Sequence, residues 1–347
     1  MNSVIKLRVF NKLEAKNLIL NVSSFLLLWI LFGFNTYNSD YGNYELIYNI
    51  IANTGDYLSS NIEIGFKYIM KFFIMLNLNY QMFLIVYSFI CLIIFYKGIS
   101  RFTNKIYIVS LLFLFYPFFQ YILAIRLMFS LSLIINAIYY LKEKELKNMI
   151  KYSFLILCAS LVHQTSIVYL ILLLTYFDEQ HVILISIIMM FITIVALYIP
   201  FITQFIENFF PKFLIYIKDG TNPITIIIVI AYYISSFLLI RFTQLKYYNN
   251  KYKNDYLLIK KIFYLMVIFV PLVYVSMDFF RLFSNITVFI YIIMSNHILF
   301  INGYTTKKKL IIFTIFAIFL IIQNFTFGYL NNFESQILPI ILNNLLW

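Results

Sequence analysis

The chain has 347 residues, of which 63% are hydrophobic and 12% are charged, and its mean hydropathy is +0.89. Soluble globular proteins are about one-quarter charged, so this composition excludes a soluble protein. The net charge of +12 does not indicate nucleic-acid binding, because the basic residues lie in short clusters between apolar runs. We find no polar stretch long enough for a separate soluble domain. Residues 1–347 are therefore predicted to form a single integral membrane domain.

Apolar runs of about 20 residues, the length that an α-helix needs to cross a bilayer, recur along the chain. They predict an all-α, polytopic transmembrane helix bundle of about 9–11 membrane segments. The long run 106–141 is counted as two helices, because Pro117 and the charge of Arg126 fall in its middle. The runs lie at 17–34, 80–97, 106–123, 124–141, 182–202, 224–241, 262–277, 283–301 and 309–325.

Lys and Arg set the predicted direction of the helices. Cytoplasmic loops of membrane proteins carry an excess of these residues, so we place all of the basic clusters, and with them the N-terminus, in the cytoplasm. Charges on the exported face are then few and scattered among aromatic residues. The basic clusters are residues 1–16, 97–105, 142–151, 241–261 and 307–309.

The first exported segment, residues 35–79, is predicted to be a helical outer loop with helices at about 40–53 and 63–77. Carboxylates accept hydrogen bonds from sugar hydroxyls, and aromatic faces cover the C–H surfaces of sugars. The loop is therefore a candidate sugar-binding region. Anchoring of its tyrosines at the membrane interface is the alternative. The candidate side chains are Asp40, Tyr41, Tyr44 and Glu63.

Arg126 begins the apolar helix 124–141. A guanidinium in hydrocarbon costs at least ~2.5 kcal/mol, so it needs anionic partners or water. One interpretation is that the side chain reaches the outer headgroups. The other is that Arg126 binds a phosphate, since its planar fork matches phosphate oxygens bidentately.

The segment 151–177 is predicted to enter and return as a re-entrant hairpin bent around His163. A single crossing would place the basic cluster 241–261 outside, and each half is about 12–14 residues, too short to cross. A tilted pair of full helices is the alternative. An ionisable residue at membrane depth is a functional candidate, and neutral imidazole accepts protons near pH 7. A hydrogen-bonded packing role for His163 is the other reading.

Asp278 and Arg281 lie three residues apart between two apolar runs. On a helix they would form an i,i+3 salt bridge, which is the structural interpretation. On the same face as Arg126, the second cation would complete a two-arginine anion site.

The ordered set of these features resembles the EpsG-like group of Wzy-type polysaccharide polymerases. The elements that carry the resemblance are "DYGNY" (40–44), "EIGF" (63–66), "IR" (125–126) and "HQTS" (163–166), followed by Arg281. Leu127 departs from the pattern, because Gln often follows the Arg in this group.

The resemblance implies an enzyme of the bacterial inner membrane that works on its periplasmic or external face. It would polymerise undecaprenyl-pyrophosphate-linked oligosaccharide units into O-antigen, capsule or exopolysaccharide. The implied partners are the lipid-linked oligosaccharide, membrane lipids, a chain-length regulator and a flippase. No metal or other cofactor is expected, because two guanidiniums could balance the charge of the leaving group.

On this reading the catalytic residues are His163, Asp40 and Arg126. His163 is the first choice of base and Asp40 the second, while Arg126 and Arg281 stabilise the leaving pyrophosphate. Asp278, Tyr41, Tyr44 and Glu63 complete the predicted substrate site.

The alternatives are an O-antigen ligase, a membrane acyltransferase, and a flippase or other transporter. A ligase would be expected to have a larger exported loop than 203–223. A transporter would be expected to show an internal repeat, which we do not find.

Overall fold

The computed structural model describes residues 12–55, 62–197, 199, 223–243, 250–297, 305–326 and 333–347. Most of the N-terminal basic cluster and nearly all of the 203–223 loop lie outside these ranges. Within them the regular structure is helical, apart from one isolated β-bridge between Asn35 and Asn344. Five described helical stretches are long and apolar enough to cross a membrane. The predicted fold class, a polytopic helical membrane protein, is confirmed.

The described helices, numbered in chain order, have the following bounds. They are α1 Lys12–Gly33, α2 Tyr41–Thr54, α3 Ile64–Met75, α4 Tyr80–Ser100, α5 Ile106–Phe115, α6 Phe118–Leu123, α7 Ile125–Ile138, α8 Leu146–Val162, α9 Glu179–Leu197, α10 Pro223–Phe242, α11 Asn250–Met266, α12 Val270–Val275, α13 Phe280–His297, α14 Thr306–Thr326 and α15 Leu338–Leu342. Short 3-10 helices cover Tyr139–Lys142, Val267–Phe269 and Met277–Phe279, a longer one covers Gln164–Tyr176, and Phe333–Ile337 is a π-helical turn.

Two helices, α7 and α13, lie in the interior of the bundle. A helix that is apolar on every side is typical of such a position. In α7 the buried residues include Ile125, Leu131 and Ile138, at both ends and in the middle. In α13 every residue from Leu282 to His297 is buried. The first turns of these two helices carry Arg126 and Arg281, so both arginines lie at the starts of largely buried helices.

Helix α7 and the 3-10 turn after it extend from Arg126 to Lys142. We therefore refer to the two ends of the bundle as the Arg126 end and the Lys142 end. At the Lys142 end, the Lys142 ammonium donates to the Arg101 carbonyl oxygen at 3.3 Å and lies 2.7 Å from Asp255. These contacts bring parts of three predicted basic clusters to one end: 97–105, 142–151 and 241–261. The last cluster is not all loop, because α11 already begins at Asn250.

The predicted hairpin bent at His163 is present. His163 has extended backbone angles, φ −145° and ψ 103°, between α8 and the 3-10 helix Gln164–Tyr176. The hydroxyl of Tyr176 donates to the carbonyl oxygen of Tyr140 at 3.3 Å, so the second arm returns to the Lys142 end. A 3-10 helix rises about 2.0 Å per residue, which makes the second arm about 26 Å long. The arms therefore match the depth of α7. The bend was predicted correctly, but the halves are longer than expected and correspond to the alternative of two full-length arms.

The two helices predicted in the 35–79 segment are also present, as α2 and α3. The turn between them falls largely on residues 56–61, outside the described ranges. Helix α3 buries Phe66, Met70 and Phe73 and exposes Phe72 and Met75. This distribution makes α3 amphipathic, and its start lies at the Arg126 end.

Candidate active site

Arg126 is held by the two helices of the 35–79 segment. Its Nη1 donates to Oε2 of Glu63, and its Nε donates to the hydroxyl of Tyr44 at 3.1 Å. The guanidinium carbon also lies 5.7 Å from the centre of the Tyr44 ring, within the range of a cation–π interaction. Only 25% of the Arg126 side chain is exposed. The guanidinium therefore points into a protein site rather than out to the headgroups.

Glu63 uses its second oxygen to contact the tip of the hairpin. Nδ1 of His163 lies 3.9 Å from Oε1 of Glu63, and the backbone N–H of Gln164 donates to the same oxygen at 3.4 Å. The carboxylate thus joins three elements, α3, α7 and the hairpin, at one point. Glu63 was predicted as a sugar ligand, but in this structure both of its oxygens face protein groups.

These contacts keep the Glu63 carboxylate negatively charged. Burial raises the pKa of Glu63. The Arg126 charge, backbone N–H groups and His163 together lower it by more than burial raises it, so the pKa is below its ordinary value. The carboxyl is therefore ionised at neutral pH. This negative charge would stabilise the imidazolium that forms when His163 accepts a proton.

The charges of both predicted arginines, Arg126 and Arg281, act on Asp40. Burial raises its pKa, and the charges of Arg281 and then Arg126 oppose that rise. Although Asp40 is at the N-cap position of α2, its side chain makes no capping hydrogen bond. The positive charges of Arg281 and Arg126 thus both act on Asp40, and its carboxylate is not used to cap α2.

Asp278 and Arg281 form the i,i+3 salt bridge weighed above, with 3.1 Å between Nη2 and Oδ1. Their side chains are 39% and 48% exposed, respectively, compared with 14% for Glu63. This pair therefore lies on the rim of the site, while Glu63 and Arg126 lie inside it.

The two predicted sugar-binding tyrosines have different surroundings. Tyr44 is buried and contacts Arg126, whereas the Tyr41 hydroxyl donates to Oε1 of Gln81 at 2.9 Å. The Tyr41 ring also packs edge-on against Tyr80, with 4.9 Å between the ring centres. Burial, followed by the charge of Glu45, raises the pKa of Tyr41 to about 12, so its phenol stays protonated. In this structure Tyr41 ties α2 to α4.

Comparison with protein families identifies the chain. The model of the EpsG family matches residues 18–341, nearly the whole length. The chain belongs to the EpsG family. The resemblance carried by the "DYGNY", "EIGF", "IR" and "HQTS" elements is thereby confirmed, and this is a polysaccharide polymerase-like membrane protein. Comparison with curated proteins and with solved structures gives no match.

The "EIGF" element of this EpsG-family chain has a structural explanation. A Cβ atom at Gly65 would lie 2.6 Å from the carbonyl oxygen of Leu161, two residues before His163. Only glycine allows α3 to approach the hairpin tip this closely. The next residue, Phe66, is fully buried and anchors the helix. Gly65 and Phe66 thus place Glu63 where it can contact Arg126 and His163.

Three buried polar residues that were not predicted connect the hairpin to α13. The Tyr169 hydroxyl donates to the Leu282 carbonyl oxygen at 2.7 Å and accepts from Nδ2 of Asn285 at 3.0 Å. Tyr121 donates to Oδ1 of Asn285. These bonds fix the first turn of α13, which carries Arg281, against the second arm of the hairpin. An asparagine inside the apolar run 283–301 was the available sequence signal.

A chain of asparagines, also unpredicted, fixes the start of α2. The Asp40 backbone N–H donates to Oδ1 of Asn38 at 3.0 Å, and Nδ2 of Asn38 donates to Oδ1 of Asn35 at 2.8 Å. Asn35 forms the isolated β-bridge with Asn344, so the segment after α15 closes this contact. Next to this bridge, the Thr36 hydroxyl donates to the carbonyl oxygen of Asn343, which is 307 positions away in the sequence. Residues from the two ends of the described chain therefore set the position of Asp40.

Proposed function

We propose that this protein is a glycosyltransferase-type polymerase that joins undecaprenyl-pyrophosphate-linked oligosaccharide units into O-antigen, capsule or exopolysaccharide. The reaction would take place on the outer face of a bacterial inner membrane. The observation that carries the proposal is the meeting of a guanidinium, a carboxylate and an imidazole at one end of the bundle, in Arg126, Glu63 and His163. Membership of the EpsG family supports a polymerase-like activity.

The reaction sets clear chemical requirements. The oxygen of the acceptor hydroxyl attacks the anomeric carbon of the donor sugar, and the bond from that carbon to the pyrophosphate oxygen breaks. The hydroxyl proton passes to a base, and the pyrophosphate leaves with the bonding electrons. The site therefore needs a proton acceptor and positive charge aimed at the leaving group.

We assign the leaving pyrophosphate to Arg126 and Arg281. A guanidinium has five N–H donors, and Arg126 uses Nε for Tyr44 and Nη1 for Glu63. The remaining donors of a side chain already fixed in place can bind phosphate oxygens without further loss of side-chain freedom. Arg281, on the exposed rim and paired with Asp278, would bind the more distal phosphate.

We assign proton acceptance to His163, with Asp40 as the second choice. The imidazole lies at the hairpin tip beside an ionised carboxylate, which stabilises the imidazolium that proton transfer would form. The raised pKa of Asp40 makes it a stronger base than an ordinary aspartate. Asp40 and Tyr44 would also orient the sugars, because the charge of Arg126 acts on both.

The outward direction of the Arg126 end follows from the other end of the bundle. Parts of the basic clusters 97–105, 142–151 and 241–261 meet at the Lys142 end, and such clusters favour the cytoplasm. Cysteines placed at Tyr37 and Lys144, in a chain whose two natural cysteines are replaced by serine, test this assignment. A membrane-impermeant thiol reagent should label position 37 and not 144 in intact cells. The opposite pattern would reverse the orientation and move the site to the cytoplasm.

Deletion of the gene, followed by gel analysis of the cell-surface glycan, tests the reaction. A polymerase defect leaves a single repeat unit on the surface carrier, and the wild-type gene restores the ladder. Polymer that accumulates on the lipid carrier and never reaches its acceptor would indicate a ligase. Complete loss of exported units would indicate a flippase or another transporter.

A further inference from the structure

The Glu63 carboxylate has a position that sugar binding does not explain. One oxygen receives Nη1 of Arg126, and the other faces both the Gln164 N–H and Nδ1 of His163. We infer that Glu63 is a positioning residue, which fixes the tautomer and orientation of His163 so that Nε2 receives the proton of the acceptor hydroxyl. This inference rests on the proposed function.

The geometry selects one nitrogen of the imidazole. Nδ1 is the atom within 3.9 Å of the Glu63 carboxylate. A neutral imidazole carries its proton on one nitrogen and accepts on the other, and an adjacent carboxylate favours the proton on the nitrogen that faces it. On this inference the proton of His163 resides on Nδ1, so Nε2 is the nitrogen that accepts. A separation of 3.9 Å is longer than a hydrogen bond, and such contacts commonly tighten when substrate binds.

A backbone hydrogen bond keeps the Glu63 carboxylate next to the His163 imidazole. The Gln164 N–H, which donates to Oε1 of Glu63, belongs to the residue directly after His163. Any movement of the hairpin tip therefore carries the imidazole and its carboxylate partner together. The close contact between Gly65 and the Leu161 backbone also fixes the distance between α3 and the hairpin tip. Position and charge are thus set by the backbone as well as by side chains.

The proton balance is simple. The acceptor O–H bond breaks as its oxygen bonds to the anomeric carbon, and the proton moves to Nε2 while Nδ1 keeps its own. The resulting imidazolium faces the negative charge of Glu63, and water removes the extra proton after the product leaves. Arg126 remains attached to Tyr44 during these steps, so Glu63 is not the sole anchor of the guanidinium.

A network of charged and titratable groups extends away from His163, and their effects on the imidazole have opposite signs. Carboxylates favour the imidazolium and guanidiniums oppose it. Glu63 differs from the others because it faces Nδ1 directly. The groups are Glu63 before α3, Arg126 on α7, Asp40 and Tyr44 from the α2 region, and Asp278 with Arg281 at the start of α13.

The test is a pH–rate profile of the full-length protein in lipid nanodiscs, with a lipid-linked repeat unit as substrate. Glu63→Gln retains an oxygen acceptor but removes the charge. We expect kcat to fall by about 10- to 100-fold and the acidic limb of kcat/KM to move to lower pH, with little change in KM. Glu334→Gln, the same change at an exposed position, is the matched control and should leave the profile unchanged. A Glu63→Gln enzyme with raised KM and an unmoved acidic limb would overturn the inference and make Glu63 a sugar ligand.

A second comparison keeps the test decisive if Glu63→Gln folds poorly. Glu63→Asp should restore part of kcat, and in a His163→Gln background the Glu63→Asp change should add almost no further loss, because residues that act as a unit are non-additive. Full multiplicative losses would overturn the positioning role. Failure of the proposed function has a different result: the wild-type protein itself would then form no polymer from the lipid-linked repeat unit, whatever Glu63 does.

Discussion

At the Lys142 end, the ammonium of Lys261 donates to two backbone carbonyl oxygens, at 3.0 and 2.6 Å, whereas at the Arg126 end Arg126 binds side chains. The first arrangement satisfies the orphan carbonyls where the hairpin ends. The second gathers Arg126, Glu63 and Tyr44 from helices that are remote in sequence. Lys261 therefore closes the fold at the Lys142 end, whereas Arg126 assembles a site at the other end.

Aromatic contacts do not distinguish the two ends. Lys142 lies 4.2 Å from the centre of the Phe102 ring and Arg101 lies 4.8 Å from that of Tyr139, much as Arg126 lies over Tyr44. Such contacts contribute about 0.5–2 kcal/mol wherever they occur. The feature that separates the Arg126 end is an ionised carboxylate shared between a guanidinium and an imidazole. Only that arrangement can both bind an anion and accept a proton.

The largest effect is expected from Arg126→Lys. An ammonium cannot reproduce the fork that contacts Tyr44 and Glu63 and still binds phosphate. We expect polymerisation to fall by about 100-fold or more, the cost of losing one preorganised donor to developing negative charge. The glycan ladder in cells and the turnover of purified protein measure this loss.

Arg101→Lys is the matched control at the other end. Arg101 lies over Tyr139 and close to the Asn136 carbonyl oxygen, where an ammonium can replace it. The ladder should stay normal. Equal losses in the two variants would remove the distinction between the ends, and a normal ladder with Arg126→Lys would take Arg126 out of the site.

The next largest effect is expected from Gly65→Ala. The added methyl group would collide with the Leu161 backbone and push α3 away from the hairpin tip, which costs about 1–3 kcal/mol when a packed interface must shift. Because Glu63 moves with α3, we expect turnover to fall by about tenfold or more. Gly42→Ala is the control, since no atom lies within 4 Å of its added Cβ. Unchanged turnover in Gly65→Ala would show that this contact does not set the site.

The sequence is sufficient to predict the features that depend on local composition. Apolar length indicated the membrane helices, the clusters of Lys and Arg indicated which loops share an end, and polar residues around His163 indicated the bend. Pro117 correctly marked the break between α5 and α7. Each of these predictions uses neighbouring residues only.

The contacts that build the site could not be predicted in the same way. Glu63 and Arg126 are 63 residues apart, and Gln164 is 101 residues from Glu63, so their pairing depends on how whole helices pack. For that reason the contacts of Glu63 with Arg126 and the hairpin tip were not predicted. The 3-10 geometry of the second hairpin arm was missed because a uniformly apolar run does not reveal its helical period.

Asp40→Asn tests how a charge at the Arg126 end affects the pH dependence of stability. The raised pKa of Asp40 means that the folded state prefers its neutral form, so the stability that depends on this group is present at low pH and is lost as pH rises through the folded-state pKa. Asn mimics the neutral form. We expect the variant to be slightly more stable at neutral pH, by less than about 1 kcal/mol because Asp40 is only partly buried, and to polymerise several-fold more slowly.

Thermal unfolding in detergent at several pH values measures the first effect, and turnover measures the second. Glu45→Gln, one turn further along α2, is the control for a charge removed from the same helix. A variant that loses stability at neutral pH would mean that Asp40 supports the fold, as the charges at the Lys142 end do.

The smallest effect on turnover is expected from Lys142→Met. The Lys142–Asp255 pair is largely buried, with 18% and 11% of the side chains exposed, and removal of one partner from such a pair costs about 3 kcal/mol. Asp255→Asn added to Lys142→Met should recover part of that loss, because it removes the charge left without its partner. Turnover per folded molecule should stay within about twofold of wild type in both variants, since neither residue approaches the Arg126 end. A fall in turnover that matches Gly65→Ala, in protein that remains folded, would mean that the two ends are coupled through α7 and that the Lys142 end contributes to the chemistry.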